Sequence, residues 1–145
     1  MRIDVVERPA VRVACMHYTG AFGEPLGRFW RGSVVPWLAE HGVVDCPRYG
    51  VTLDACHYDA CVELPPGLSL PDAAERLVSG GRYAVTHFKG PGTHMDAAWN
   101  AFRLECQGTH VCDASRPPFE RYPRGAHFDA RTGIFACELW LPVSR

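Results

Sequence analysis

Glu120 and Tyr122 stand two residues apart in Phe119-Glu120-Arg121-Tyr122, so in a strand both side chains leave the same face. A carboxylate among aromatic rings suits a cationic or hydrogen-bond-donating ligand. The rings supply apolar area and about 0.5–2 kcal/mol of cation–π attraction, and the charge fixes orientation. Phe22, Trp99 and Trp140 are the aromatic residues that could complete such a cleft, with His17 as a further polar contact. The same residues could support a hydrolysis. Glu120, its pKa raised by burial, would position or activate a water, with Tyr122 or His17 as the second group. The plainer alternative is a solvated Glu120 at a strand edge and aromatic residues that are ordinary core; the sequence alone leaves catalytic residues unassigned.

Seven cysteines are a high count for 145 residues. Cys15 with His17, and Cys61 with Glu63, each point one way if their segments are strands, and a thiolate nucleophile is conceivable there. Against that, cysteine is among the most buried residue types, and the repeated Ala-Cys at 60–61 and 136–137 reads as matched packing. Cys56-His57 with Cys61, and Cys106, His110 and Cys112, suggest metal ligands, but neither group has the Cys-x-x-Cys knuckle of a strong zinc site. No metal and no other cofactor is expected. His17 and His87 read as strand residues with structural hydrogen bonds, and Asp54 and Asp59 as turn acids.

These residues are placed by an internal repeat. Val13-Ala14-Cys15-Met16-His17-Tyr18-Thr19-Gly20 aligns with Tyr83-Ala84-Val85-Thr86-His87-Phe88-Lys89-Gly90 at an offset of 70, which also brings Phe29 onto Trp99. Ala60-Cys61 and Ala136-Cys137 extend the match at a slightly longer offset, in β-like runs that end at Pro65 and Pro142. Each unit starts with a strand rich in β-branched and aromatic residues, and Gly20 or Gly90 turns it into a helix. In the first helix Leu26, Phe29, Trp30, Trp37 and Leu38 recur at helical spacing, Pro25 fits the first turn, and Pro36 predicts a break near Val35. In the second, Thr93 and Asp96 form a variant capping box ahead of Ala98, Trp99 and Phe102. The expected fold is α+β: two pseudo-two-fold β-α-β-β repeats, about 1–65 and 81–145, joined by a linker over 66–80, forming one domain with a concave antiparallel sheet and two main helices.

Composition bounds the function. Hydrophobic residues at 47% and charged residues at 21% are ordinary for a globular chain, and a net charge of −1 without Lys/Arg runs speaks against direct nucleic-acid binding. The amino terminus has no apolar stretch of signal-peptide length and no segment reaches the roughly 20 apolar residues of a membrane span. A cytoplasmic location with mostly reduced cysteines is the expectation.

Read together, His-Tyr-Thr-Gly-Ala-Phe (17–22), Gly-Arg-Tyr-Ala-Val (81–85), Phe-Lys-Gly-Pro (88–91), Phe-Glu-Arg-Tyr (119–122) and Glu-Leu-Trp-Leu-Pro-Val (138–143) resemble the GyrI-like effector-binding domain. That domain is found alone in gyrase-inhibitory proteins and attached to DNA-binding modules in AraC-type and MerR-type multidrug regulators. The resemblance spans nearly the whole chain and so implies a stand-alone copy without a helix-turn-helix. It implies a ligand groove between the two helices, with Glu120 on its floor facing aromatic groups. The aromatic wall after each Gly-Pro-like turn would be Phe22 in the first unit, whereas the second has Gly92. Binding or sequestration of a hydrophobic, aromatic or cationic small molecule is the implied function. Hydrolysis of strained, cyclopropane-type toxins by Glu120 is the first alternative, and a protein–protein role, with gyrase as the possible partner, is the second.

Overall fold

The two segments that match at an offset of 70 form the longest strands of a computed structural model describing residues 1–144. They are β2 (Val11–Thr19) and β6 (Gly81–Gly90). Each is preceded by a short strand, β1 (Asp4–Arg8) or β5 (Ala74–Val78), and these too are 70 residues apart. The stretch expected to be a linker therefore contains a strand, and each repeat carries one more element at its front than its sequence suggested. The lead strands are exchanged: β1 pairs with β6 of the second repeat and β5 with β2 of the first. Exposed residues dominate β5, in which only Val78 is buried, so it lacks the alternation that identifies a half-buried strand.

The first repeat continues through α1 (Glu24–Phe29), a π-helical stretch Trp30–Val34, α2 (Val35–Glu40), β3 (Arg48–Thr52) and β4 (His57–Glu63). The second continues through a 3-10 turn Gly92–His94, α3 (Met95–Gln107), β7 (Phe119–Tyr122) and β8 (Phe135–Pro142). All eight strands form one antiparallel sheet in the order β1-β6-β8-β7-β3-β4-β2-β5. This order reads symmetrically about the central β7–β3 pair. No helix of the described residues is long and apolar enough to cross a membrane.

Pro36 does not break the helix. It lies in the first turn of α2, and the widened turn before it closes with the Val35 N–H donating to the Trp30 carbonyl, five residues back. An i→i+5 turn absorbs the extra room that a proline ring needs against the preceding turn. Thr93 does not cap α3 either, because the 3-10 turn occupies its position and the N-cap, His94, makes no side-chain cap bond. Asp96 remains in the first turn, where a negative charge complements the helix dipole.

Alternate residues of the strands feed two faces. On the outer face, Ala14, Tyr18, Tyr58 and Val62 pack with Val34 and Leu38 under α1–α2, and Ala84, Phe88, Leu139 and Leu141 pack with Trp99 and Phe102 under α3. The inner face carries no helix, yet Val13, Tyr49, Tyr83, Phe119 and Trp140 are buried there in one cluster drawn from strands of both repeats. A helix-free face buries such rings only when the sheet curls around them, so the sheet is a half-barrel with the helices outside. Arg8 lies over this cluster, its guanidinium 4.8 Å from the Trp140 ring centre and donating to the Tyr49 hydroxyl at 2.9 Å.

Candidate functional site

Where the repeats meet, Gly50 of β3 is paired with Glu120 of β7. These residues are also separated by 70, so they are equivalent positions facing one another across the pseudo-two-fold axis. The axis has room for one side chain. A Cβ built on Gly50 would lie 1.8 Å from the Tyr58 hydroxyl and 2.5 Å from Glu120 Oε2. Glycine here gives up side-chain burial to let a carboxylate and a phenol converge.

Glu120 projects from the outer face between the two helical layers and is 7% exposed. Tyr58 of β4 donates its hydroxyl to Oε2 at 3.2 Å, and the Trp30 indole N–H, from the π-helical stretch, donates to the Tyr58 oxygen at 3.1 Å. The Trp99 indole of α3 faces the carboxylate from the other repeat. Burial pushes the Glu120 carboxyl up to about 7, against the hydrogen bonds from Tyr58 and Trp99 that favour its charged form. The same burial, with the Glu120 charge next in importance, holds the Tyr122 phenol well above its ordinary range.

Tyr122 leaves the face that Glu120 leaves, with its ring 5.9 Å from Trp30 and 6.1 Å from Phe135. Phe22 meets the Tyr58 ring edge-on at 5.7 Å. Opposite it, the wall that Gly92 leaves bare is taken by Phe135 of β8, 3.9 Å from where a Cβ of residue 92 would sit. The start of α1 touches the 3-10 turn, and Glu120 is buried. The site is thus closed: one acid, two indoles, two phenols and two phenyl rings, split between the repeats.

Glu120, Tyr122, Phe22 and Trp99 are brought together; Trp140 and His17 are not. Directly paired residues share a face. Trp140 is paired with Phe119, whereas Glu120 is paired with Leu139, so the Trp140 ring stacks on Phe119 at 5.5 Å inside the curl. His17 likewise alternates with Tyr18 and points inward, where Nδ1 lies 2.8 Å from Asp59 Oδ1. It is therefore no second group for Glu120. Asp59 is buried rather than a turn acid. His87 faces Glu138 at 3.9 Å in the second repeat, so each histidine has a cross-strand carboxylate.

Tyr58 and Trp30 went unnoticed in the sequence. Trp30 looks like one more apolar position in its helix, and Tyr58 is hidden by the register of the second half of each repeat. Cys15 pairs with Cys61, and its equivalent Val85 pairs with Trp140; Tyr49 and Phe119 give the same correspondence. Cys61 is thus the counterpart of Trp140, an offset of 79, and the Ala-Cys match is coincidental: Cys61 faces inward and Cys137 outward. On that register Tyr58 corresponds to Cys137, so the phenol at the site belongs to one repeat only.

Among the described residues, Asp54, Cys56 and His57 are the one group of three metal-capable donors converging within 4.8 Å. They sit on the exposed β3–β4 hairpin, where the Cys56 backbone N–H and the His57 ring hold the Asp54 carboxyl down at about 2. Cys61 is inside the curl and does not join them. Cys106 is on the buried face of α3 and forms no such group with Cys112 and His110.

The family model for GyrI-like small molecule binding domains matches residues 1–144. Among curated proteins, none matches the chain by sequence. Solved structures are similar to this chain in fold, among them three with TM-scores above 0.6. SAV2435 bound to tetraphenylphosphonium is 15% identical, with 99% of this chain and 94% of that chain covered and a TM-score of 0.64. The EcmrR C-terminal domain is 10% identical, with 99% and 98% covered and a TM-score of 0.71. A hydrolase from Listeria innocua is 14% identical, with 99% and 92% covered and a TM-score of 0.61.

Proposed function

The chain belongs to the family of GyrI-like small molecule binding domains, and from that premise we propose that it binds an aromatic cation between its two repeats, against Glu120. The carrying observation is the buried, singly placed carboxylate among Trp30, Tyr58, Trp99 and Tyr122. Burial pushes that acid's pKa up to about 7, so it is largely protonated below pH 7. A bound cation compensates the charged form, and the rings add cation–π attraction and apolar contact. Tyr58 is already aligned to hold the charged form.

Entry requires the aromatic cover to part. The π-helical stretch that carries Trp30 is part of that cover, and such widened turns recur at functional sites. The lipophilic cation in the complex with SAV2435 is a fitting probe. Titration with tetraphenylphosphonium, followed by calorimetry, should give saturable one-to-one binding that Glu120→Gln weakens at least tenfold. Triphenylphosphine oxide, which is neutral, should respond to that variant less than threefold. Equal losses for both compounds would remove the electrostatic role, and no binding of either would remove the proposal.

A hydrolytic reading has one observation in its favour: a carboxyl near 7 with an aligned phenol is poised for proton transfer at neutral pH. Incubation with strained-ring electrophiles separates the two readings. Products that disappear in Glu120→Gln would make the site catalytic, and unchanged substrate would leave it a binding site.

A further inference from the structure

The two repeats fill the inner face unequally. In the second repeat, Val85 and Trp140 stand opposite one another on β6 and β8; at the equivalent places of the first, Cys15 and Cys61 stand opposite one another on β2 and β4. Two small thiols replace a branched side chain and an indole. A cavity of about 200 Å³ results, with both cysteines in its lining. Its apolar walls include Val13, Val51 and Phe119, and Asp59 stands at its polar side between His17 at 2.8 Å and Arg76 at 3.5 Å.

Cys15 and Cys61 are both free thiols and both buried except toward this cavity. None of the other five cysteines is paired with a cysteine in the sheet: Cys137 is opposite Phe88, Cys112 bridges to Val143, and Cys46, Cys56 and Cys106 lie outside the strands. Directly opposed residues have Cβ atoms about 5 Å apart, a separation that one bridging atom bonded to both sulfurs can span. From the paired thiols and the apolar cavity above them, we propose that the inner face is a second ligand site, at which Cys15 and Cys61 together capture a trivalent arsenical bearing an apolar group.

The chemistry balances without an oxidant. An organoarsenic oxide, R–As=O, reacts with the two S–H groups to form two S–As bonds. The arsenic–oxygen bond is lost, and the oxygen leaves as water with both thiol protons. Arsenic stays trivalent and the sulfurs stay at the thiol oxidation level. The reaction starts from protonated thiols, in keeping with the Cys61 thiol being held well above its ordinary range by its Cys15 neighbour and by burial. The organic group then takes the apolar space that Trp140 fills in the other repeat. This site lies across the sheet from Glu120 and is independent of the reading given for that residue.

The test treats the reduced protein with one equivalent of phenylarsine oxide and reads intact mass. One phenylarsenic should be retained per chain, with loss of one water. Excess 2-mercaptoethanol should leave it in place, and 2,3-dimercaptopropanol should remove it. Tryptic digestion should give peptides 13–28 and 49–76 joined through arsenic, and fragmentation should place the bond at Cys15 and at Cys61 rather than at Cys56, which shares the second peptide. Cys15→Ser and Cys61→Ser should each lower retention after the monothiol wash more than tenfold, and Cys56→Ser and Cys112→Ser should not. Arsenic joined to other cysteines, an adduct lost to the monothiol, or no adduct would each overturn the proposal. The peptide map of the unsubstituted protein decides the matter even where a serine variant fails to fold.

Discussion

Gly50 and Glu120 are each other's partner across the β3–β7 pair and each other's equivalent in the internal repeat. The pseudo-two-fold axis of the sheet runs between them. Two glutamates here would set like charges against each other in a buried space, and two glycines would leave no functional group. The repeat has diverged to one of each, and Tyr58, whose counterpart is Cys137, completes the asymmetry.

Gly50→Ala should disable the site from beneath. The added methyl would lie 1.8 Å from the hydroxyl of a fully buried Tyr58 and 2.5 Å from Glu120 Oε2, so one of them must move. Overpacking of this kind costs about 1–3 kcal/mol. Chemical denaturation should show the loss, and calorimetry should show cation affinity falling at least tenfold even where the fold survives.

Glu120 should make stability fall with pH. Unfolded, its carboxyl titrates near the ordinary 4.5, and folded near 7, so between those values the folded chain holds the extra proton. Stability is greatest below about 4.5 as far as this group is concerned, declines as pH rises to about 7, and is level above that, with a total cost on the order of 3 kcal/mol. Glu120→Gln should flatten the decline and melt higher than the parent at pH 8. Melting curves at pH 5 to 8 provide the measurement, and parallel curves for the two proteins would contradict the assignment.

Affinity for a cation should run the other way. The cation prefers the ionised site, so binding releases a proton below pH 7, and affinity for tetraphenylphosphonium should rise by up to tenfold per pH unit before levelling off above about 7. Tyr58→Phe removes a donor to the charged carboxylate and leaves the Trp30 N–H without its acceptor. It should move the levelling point to higher pH and destabilise the protein by about 1–2 kcal/mol. A pH series of calorimetric titrations checks both.

The tryptophans should report by face. Trp30 and Trp99 adjoin Glu120, and Trp140 is on the other side of the sheet against Phe119 and Arg8. Trp30→Phe and Trp99→Phe should each remove a large part of the fluorescence quenching caused by a bound aromatic cation. Trp140→Phe should leave quenching and affinity within twofold while lowering stability by about 1 kcal/mol, since it loses the indole bond to Glu138.

Much of this was written in the linear sequence. The offset of 70 located both long strands, the aromatic and apolar spacing located the helices, and Glu120 with Tyr122 two residues on gave the shared face, because local periodicity alone sets these features. β5 was missed since four of its five residues are exposed and it owes its existence to an edge of the other repeat. Pro36 misled because propensity does not reveal that a π turn can accommodate it. Which face each strand gives to which core is a matter of register, and the longer β7–β8 connection in the second repeat shifts that register by nine residues relative to the first. That shift put Trp140 inside the curl and matched it with Cys61, while the pairing of β2 with β4 turned His17 inward and the pairing of β3 with β4 and β7 brought Tyr58 to Glu120 from 62 residues away. The sequence by itself determined the repeat, the elements and the acid. Only the tertiary structure decided what surrounds that acid, since cross-strand pairing between distant segments depends on how connections of unequal length bring the strands into register.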